Sequence, residues 1–99
     1  MGASFNYRLF GDFLDRKTIA KMWDDMCEQS RHDHGHSYSG DIGTLRGNVQ
    51  WHEEVLPAQH LAYAFVLQNH KEKWDPPVAA PYVSETGHKM WLIGGWCRS

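Results

Sequence analysis

The chain has 99 residues, 41% of them hydrophobic and 22% charged, with ten basic and twelve acidic side chains that give a formal net charge of −2. A chain of this length holds one small domain, and an apolar share of this size excludes a disordered tail. Charges spread without runs exclude strong attraction to nucleic acid or to an anionic membrane. No apolar stretch reaches the ~18 residues of a membrane span, and the start Met1-Gly2-Ala3-Ser4 lacks the basic-then-apolar layout of a signal peptide, so the expected location is the cytoplasm.

Phe5-Asn6-Tyr7-Arg8-Leu9-Phe10 alternates apolar and polar side chains, which predicts a first strand with one buried face. Gly11 ends it, and Asp12 or Asp15 is placed to accept the orphan amides of a following helix. That helix is expected from Arg16 to Arg31, with Ile19, Met22, Trp23 and Met26 as its apolar stripe and Gly35 as its stop. Residues 36–44 and 48–53 flank Leu45-Arg46-Gly47, where Gly47 can take a positive φ, and the economical reading is a β-hairpin. Pro57 then opens a second helix that carries Leu61, Ala62, Phe65 and Val66 at helical spacing and ends near Lys71 and Lys73. Val78 to Val83 reads as a strand, Ser84-Glu85-Thr86-Gly87 as a turn, and Lys89 to Cys97 as a closing strand.

The resulting order, β-α-β-β-α-β-β, predicts an α+β fold. Its first six elements match the two-layer ferredoxin-like (βαββαβ) arrangement, an antiparallel sheet with both helices on one face, plus an extra C-terminal strand. In that last strand Met90, Leu92 and Trp96 point one way, and Trp91, Ile93 and Cys97 the other, so both faces are apolar. On an edge strand of a two-layer fold the second face needs a cover, and a homodimer supplies it most simply. Gly94-Gly95 marks either a bulge or a close backbone contact.

Seven His and five Trp are a high content for 99 residues, and they direct the search for a site. Trp23 and Trp51 are expected inside, while Trp74, Trp91 and Trp96, with Tyr38, are the candidates for a partner-binding surface. His32, His34 and His36 have the ligand chemistry that zinc or another divalent transition metal prefers. Against that stands a solvated loop in which His caps the last carbonyls of a helix, and no cofactor is the primary expectation. If the hairpin turns at Arg46-Gly47, Asp41 lies opposite His52, and the carboxylate could orient the imidazole as an acid/base pair, or the two could form a plain cross-strand contact. Cys27 and Cys97 lie too far apart in sequence for a zinc ribbon or a redox pair, so reduced structural thiols are expected. The glycines at 40, 43 and 47 precede no helix that could hold a phosphate, and basic-aromatic RNA-binding motifs are missing, so nucleic acid is not an expected partner.

The stretches Tyr38-Ser39-Gly40-Asp41-Ile42, Lys73-Trp74-Asp75-Pro76-Pro77-Val78-Ala79 and Trp91-Leu92-Ile93-Gly94-Gly95-Trp96-Cys97-Arg98-Ser99 resemble short phage and prophage proteins with a Tyr-x-Gly-x-Ile stretch, a Lys-Trp-Gly-Pro-Ala stretch and a Gly-Trp near the end. The resemblance implies action inside an infected bacterial cell and carries no activity with it. Together these readings lead to a small regulatory or binding module that acts by protein–protein contact, on itself as a homo-oligomer and on a host protein. The alternative is a metal-dependent or acid/base enzyme for a small polar ligand that uses His32, His34 and His36 with Asp41 and His52.

Overall fold

The computed structural model describes residues 3–11, 15–34, 42–45, 47–70 and 75–98. In chain order these form strand β1 (Ala3–Gly11), helix α1 (Arg16–His34), one 3-10 turn (Ile42–Thr44), strand β2 (Gln50–Trp51), helix α2 (Gln59–Asn69), and strands β3 (Val78–Val83) and β4 (Lys89–Arg98). The result is a mixed α+β fold with one four-stranded sheet in the order β1-β4-β3-β2. β4 runs antiparallel to both neighbours, and β2 runs parallel to β3. None of the described helices is long and apolar enough to cross a membrane.

This arrangement corrects the expected topology in two places. First, the expected hairpin of residues 36–44 and 48–53 is not found among the described residues: Ile42–Thr44 is a 3-10 turn and β2 pairs with β3, while residues 36–41 and Arg46 lie outside the described ones. Ile42 and Leu45 are both buried, at 1% and 3% exposure, and two side chains three residues apart share a side on a tight helical turn but not on a strand. The Leu45 amide donates to the Ile42 carbonyl at 2.9 Å and closes that turn. Gly43 seats the turn on α1: its amide donates to Ser30 Oγ at 3.2 Å, Arg31 Nη1 donates to its carbonyl at 3.1 Å, and a Cβ there would fall 2.8 Å from the Arg31 nitrogen. Gly47 does take a positive φ of 93°, but the chain then leads into β2, which pairs with β3. Parallel neighbours need a crossover, and α2 supplies it.

Second, the helices lie on opposite faces of the sheet. Ile19, Trp23 and Cys27 of α1 share a core with Phe10, Ala79, Trp91, Ile93 and Cys97. Ala62 and Val66 of α2 share another with Ala80, Tyr82 and Leu92. Odd and even residues of β3 and β4 divide cleanly between the two cores, as strand alternation requires. The double-sided apolarity of β4 is thus met within the chain: β4 is a central strand, and each of its faces has a helix. The argument that a second copy must cover an open face of β4 loses its premise.

Other expectations shift in detail. Along α1 the buried positions are Ile19, Trp23, Cys27 and Ser30, whereas Met22 and Met26 are 40% and 38% exposed. Asp15 is the cap, its Oδ1 accepting the Thr18 amide at 2.8 Å, the N-cap geometry that satisfies an orphan donor. In β1, Phe10 is buried toward α1 while Leu9 is 41% exposed, so the strand does not have the single buried face that its alternation suggested. The turn at residues 84–87 closes as expected, the Gly87 amide donating to the Ser84 carbonyl at 2.9 Å with Gly87 at φ 84°. Pro81 fits inside the sheet because its side of β3 faces β2, where its carbonyl accepts the Leu56 amide at 2.8 Å and no N–H is required.

Candidate functional site

The residues singled out by sequence do not converge. Tyr38, Trp74, His36 and Asp41 lie outside the described residues, as does the side chain of His34. His32 is exposed on α1 beside Asp25, Glu28 and Gln29 in a shallow polar groove. Among the described residues no three His, Cys, Asp or Glu side chains could hold a metal ion together. With Asp41 outside the described residues, its expected facing to His52 lies outside them too; the His52 ring stacks on Phe65, centroids 4.0 Å apart. Trp91 is 1% exposed and is a core residue, its ring meeting Trp51 edge-on at 4.9 Å. It is placed there by its odd position on a central strand under α1, and it offers no surface to a partner. Cys27 and Cys97 are both buried and unbridged, and burial pushes the Cys27 thiol up to about 12.

Among the described residues Trp96 is the proposed contact residue that reaches a surface feature. It is half-buried at the end of β4, beyond the first residue of β3, and its indole Nε1 donates to the Leu67 carbonyl of α2 at 3.3 Å. Its backbone amide would lack a strand partner there, and His70 provides one: the amide donates to Nδ1 at 3.0 Å. Nδ1 must therefore be unprotonated, and the ring's other nitrogen, Nε2, donates to the Asp75 carbonyl at 2.8 Å. His70 is fully buried and lies so close to β4 that a Cβ on Gly95 would fall 2.6 Å from its ring. Gly94 is similarly tight against Asn6 and Tyr7 of β1. Of the two readings of Gly94-Gly95, the close backbone contact is the observed one, since the β1–β4 register runs without a bulge.

Around Trp96 the α2 side of β1 carries a shelf of aromatic rings that sequence reasoning passed over. Phe5 meets Trp96 at 5.6 Å and Tyr63 of α2 at 4.9 Å; Tyr7 meets Tyr63 at 5.4 Å; all three contacts are edge-on, the geometry the ring quadrupole favours. Phe5, Tyr7 and Trp96 are half-buried and Tyr63 is 37% exposed. Tyr7 and Tyr63 also line a groove of about 740 Å³ that runs past His60 to Ser84 and Glu85. The shelf ends at β1, the edge strand, with Leu9 exposed at its far end. A period-two reading of Phe5, Tyr7 and Leu9 could have flagged the stripe, but its exposure depends on β1 being an edge, which is a nonlocal fact.

The opposite edge is closed. β2 has two residues, and Arg16 forms a bidentate pair with Glu53 at 2.9 Å on both oxygens while its guanidinium lies over Trp51 and Trp91, 5.5 and 5.1 Å from the ring centroids. Those hydrogen bonds hold the Glu53 carboxyl below its usual range. Such an arrangement shields an edge from strand addition, whereas the aromatic shelf and a long edge strand are suited to receive another chain. In comparisons with known proteins, no family model, no curated protein and no solved structure matches the chain significantly.

Proposed function

We propose that this chain is a small protein-binding module whose docking surface is the edge of β1 together with the aromatic shelf of Phe5, Tyr7, Tyr63 and Trp96. The observation that carries the reading is a nine-residue strand at the outer edge of the sheet, well above the ~5–6 residues of an average strand, flanked by rings that are ordered by mutual contact and only partly buried. Pre-ordered aromatic side chains give contact area at low entropic cost. The phage-like stretches add the host cytoplasm as the place of action, with a bacterial host protein as a further partner beside self-association.

The test is photo-crosslinking in the producing cell. A benzophenone amino acid at Tyr63 is expected to give discrete protein adducts, and the same group at Gln29, exposed on α1, none. Absence of any adduct from Tyr63, or an equal pattern from both positions, overturns the proposal.

A further inference from the structure

The backbone of β1 indicates which chain adds to it. Because the Trp96 amide turns to His70, the facing pair Phe5–Trp96 exchanges no backbone hydrogen bonds. In an antiparallel ladder bonded and non-bonded pairs alternate, so Tyr7–Gly94 and Leu9–Leu92 are non-bonded as well. The β3 side agrees. The carbonyls of Pro77 and Ala79 are taken by Gln50 and His52 of the β2 segment, which leaves the even residues of β3 to bond the even residues of β4. The N–H and C=O groups of Phe5, Tyr7 and Leu9 therefore point outward from the sheet, where no described strand lies. The Tyr7 carbonyl accepts only a local bond there, from Arg8 Nη1 at 2.9 Å.

We infer that a second copy of this chain docks on this edge, β1 against β1, antiparallel and centred on Tyr7, joining two sheets into one of eight strands. The inference rests on the protein-binding reading above and names its occupant. Three features of β1 fit a second copy and select this register. Outward-facing residues must meet outward-facing residues, so the two-fold centre falls on a residue rather than between two, and Asn6, Tyr7 and Arg8 are the centres that engage most of the strand Ala3–Gly11. A centre at Arg8 sets two guanidinium groups opposite each other, and like charges directly opposed are destabilising. A centre at Asn6 leaves Phe10 and Gly11 unpaired. A centre at Tyr7 engages all nine residues of β1, Ala3 opposite Gly11 through Tyr7 opposite Tyr7, and sets Arg8 opposite uncharged Asn6. It also sets Phe5 opposite Leu9, so the Phe5-Tyr7-Leu9 stripes of the two copies become one apolar band and the exposed Leu9 is covered. Arg8 releases the Tyr7 carbonyl as the new ladder forms.

The experiment uses the full chain. Sedimentation at micromolar concentration is expected to give twice the chain mass. Leu9→Lys, at an exposed position, is expected to raise the dimer dissociation constant about tenfold or more, and Leu9→Pro to do the same by removing an outward N–H while sparing the β1–β4 ladder. Register is read by disulfide trapping with diamide. Tyr7→Cys faces its own copy at about 5.5 Å between Cα atoms, within bridging reach, and is expected to cross-link. Asn6→Cys faces Arg8 and is expected not to. A monomer at these concentrations overturns the inference, as does a dimer insensitive to both Leu9 variants or one that cross-links through Asn6→Cys. A monomer that still gives photo-adducts at Tyr63 overturns the self-pairing alone; no adduct of any mass overturns the binding reading itself.

Discussion

The two faces of the sheet are covered with unequal thoroughness. Under α1 the core is closed: Trp23, Ile19, Trp91, Ile93 and Cys97 are at most 1% exposed, and the turn at Ile42–Thr44 with Leu45 fills the flank. Under α2 only Ala62 and Val66 of the helix are buried, against Ala80, Tyr82 and Leu92 of the strands, and toward β1 the layer passes into half-buried rings and two polar ties, His70 to Trp96 and Trp96 to Leu67. A 19-residue helix and an 11-residue helix cannot cover the same sheet equally. The shorter one meets β1 through the Tyr63 ring, which touches Phe5 and Tyr7, and the aromatic shelf lies along that strip. A small fold can in this way keep one face for stability and leave the other partly available for contact.

The sharpest contrast should come from one large ring removed on each side. Trp23→Ala empties the closed core and is expected to cost about 3–5 kcal/mol, the usual range for a buried aromatic truncated to Ala and a large share of the ~5–15 kcal/mol of a typical domain. Tyr63→Ala removes two edge-on ring contacts at an exposed position, and the expected loss is roughly 1–2 kcal/mol. Urea denaturation of both variants checks this, and similar costs would end the distinction between the faces.

Next in size is His70→Ala. The Trp96 amide loses its acceptor and the Asp75 carbonyl loses the bond from Nε2; an unmatched interior polar group costs about 1–3 kcal/mol, and a total in that range is expected. Amide exchange localises the effect: Trp96 should lose protection, while Leu92, paired with Ala80 in the middle of the sheet, should keep its own relative to global stability. Gly95→Ala, which drives a Cβ against the same ring, should reproduce the pattern.

The exchange experiment bears on what could be read from sequence. Helix α1 and strands β3 and β4 were visible because their signals are local: the Asp15 cap, the apolar alternation and the Ser84–Gly87 turn. The opposite facing of β4's odd and even residues was visible too. What covered each face was not, because it depends on α2 crossing to the other side of the sheet, and no residue of α2 encodes its side. The expectation of a strand at residues 42–44 failed for a related reason. Ile42 and Leu45 face α1 together only as a tight turn, and the contact that decides this, Gly43 against Ser30 and Arg31, spans a dozen residues of chain. Trp91 and Trp96 looked alike in sequence, yet one is central under α1 and the other lies past the start of β3. His70 carried no signal, since nothing local marks a histidine that will serve as a strand's hydrogen-bond partner.

Closure of the α1 face can also be read chemically through its cysteines. With the Cys27 thiol pushed up to about 12 by burial, the nearby Arg31 only partly opposing it, neither Cys27 nor Cys97 should react with a thiol reagent at pH 8 until the chain unfolds. The same shift sets the alkaline limit. The folded state holds this proton more tightly than the unfolded chain, so stability is undiminished below pH 9 and falls as pH rises from 9 toward 12. Burial also raises the Tyr82 hydroxyl, with Tyr7 adding to the effect, so Cys27→Ala should make the alkaline decline shallower without abolishing it. Melting curves from pH 8 to 11 would show this, and an unchanged slope would argue against a desolvated thiol.

The smallest expected effect separates two surface carboxylates that anchor α1, and its sign runs the other way. Hydrogen bonds from Thr18 hold the Asp15 carboxyl down, and those from Arg16 hold Glu53 down. A lowered folded value means that stability is present above the ordinary carboxyl range and is lost as pH falls through the lowered values. Asp15→Asn keeps a competent cap, because Asn accepts the same amide bond, so it should preserve the melting temperature at low pH and reduce only its rise toward neutrality. Glu53→Gln should act similarly, with one difference. Its share comes from an exposed ion pair that salt screens, so the gap between wild type and Glu53→Gln at pH 7 should narrow in concentrated salt, while the gap for Asp15→Asn, set by a short hydrogen bond of 2.8 Å to a backbone amide, should persist. Equal narrowing of both gaps would mean that Asp15 acts on α1 through its charge rather than as a cap.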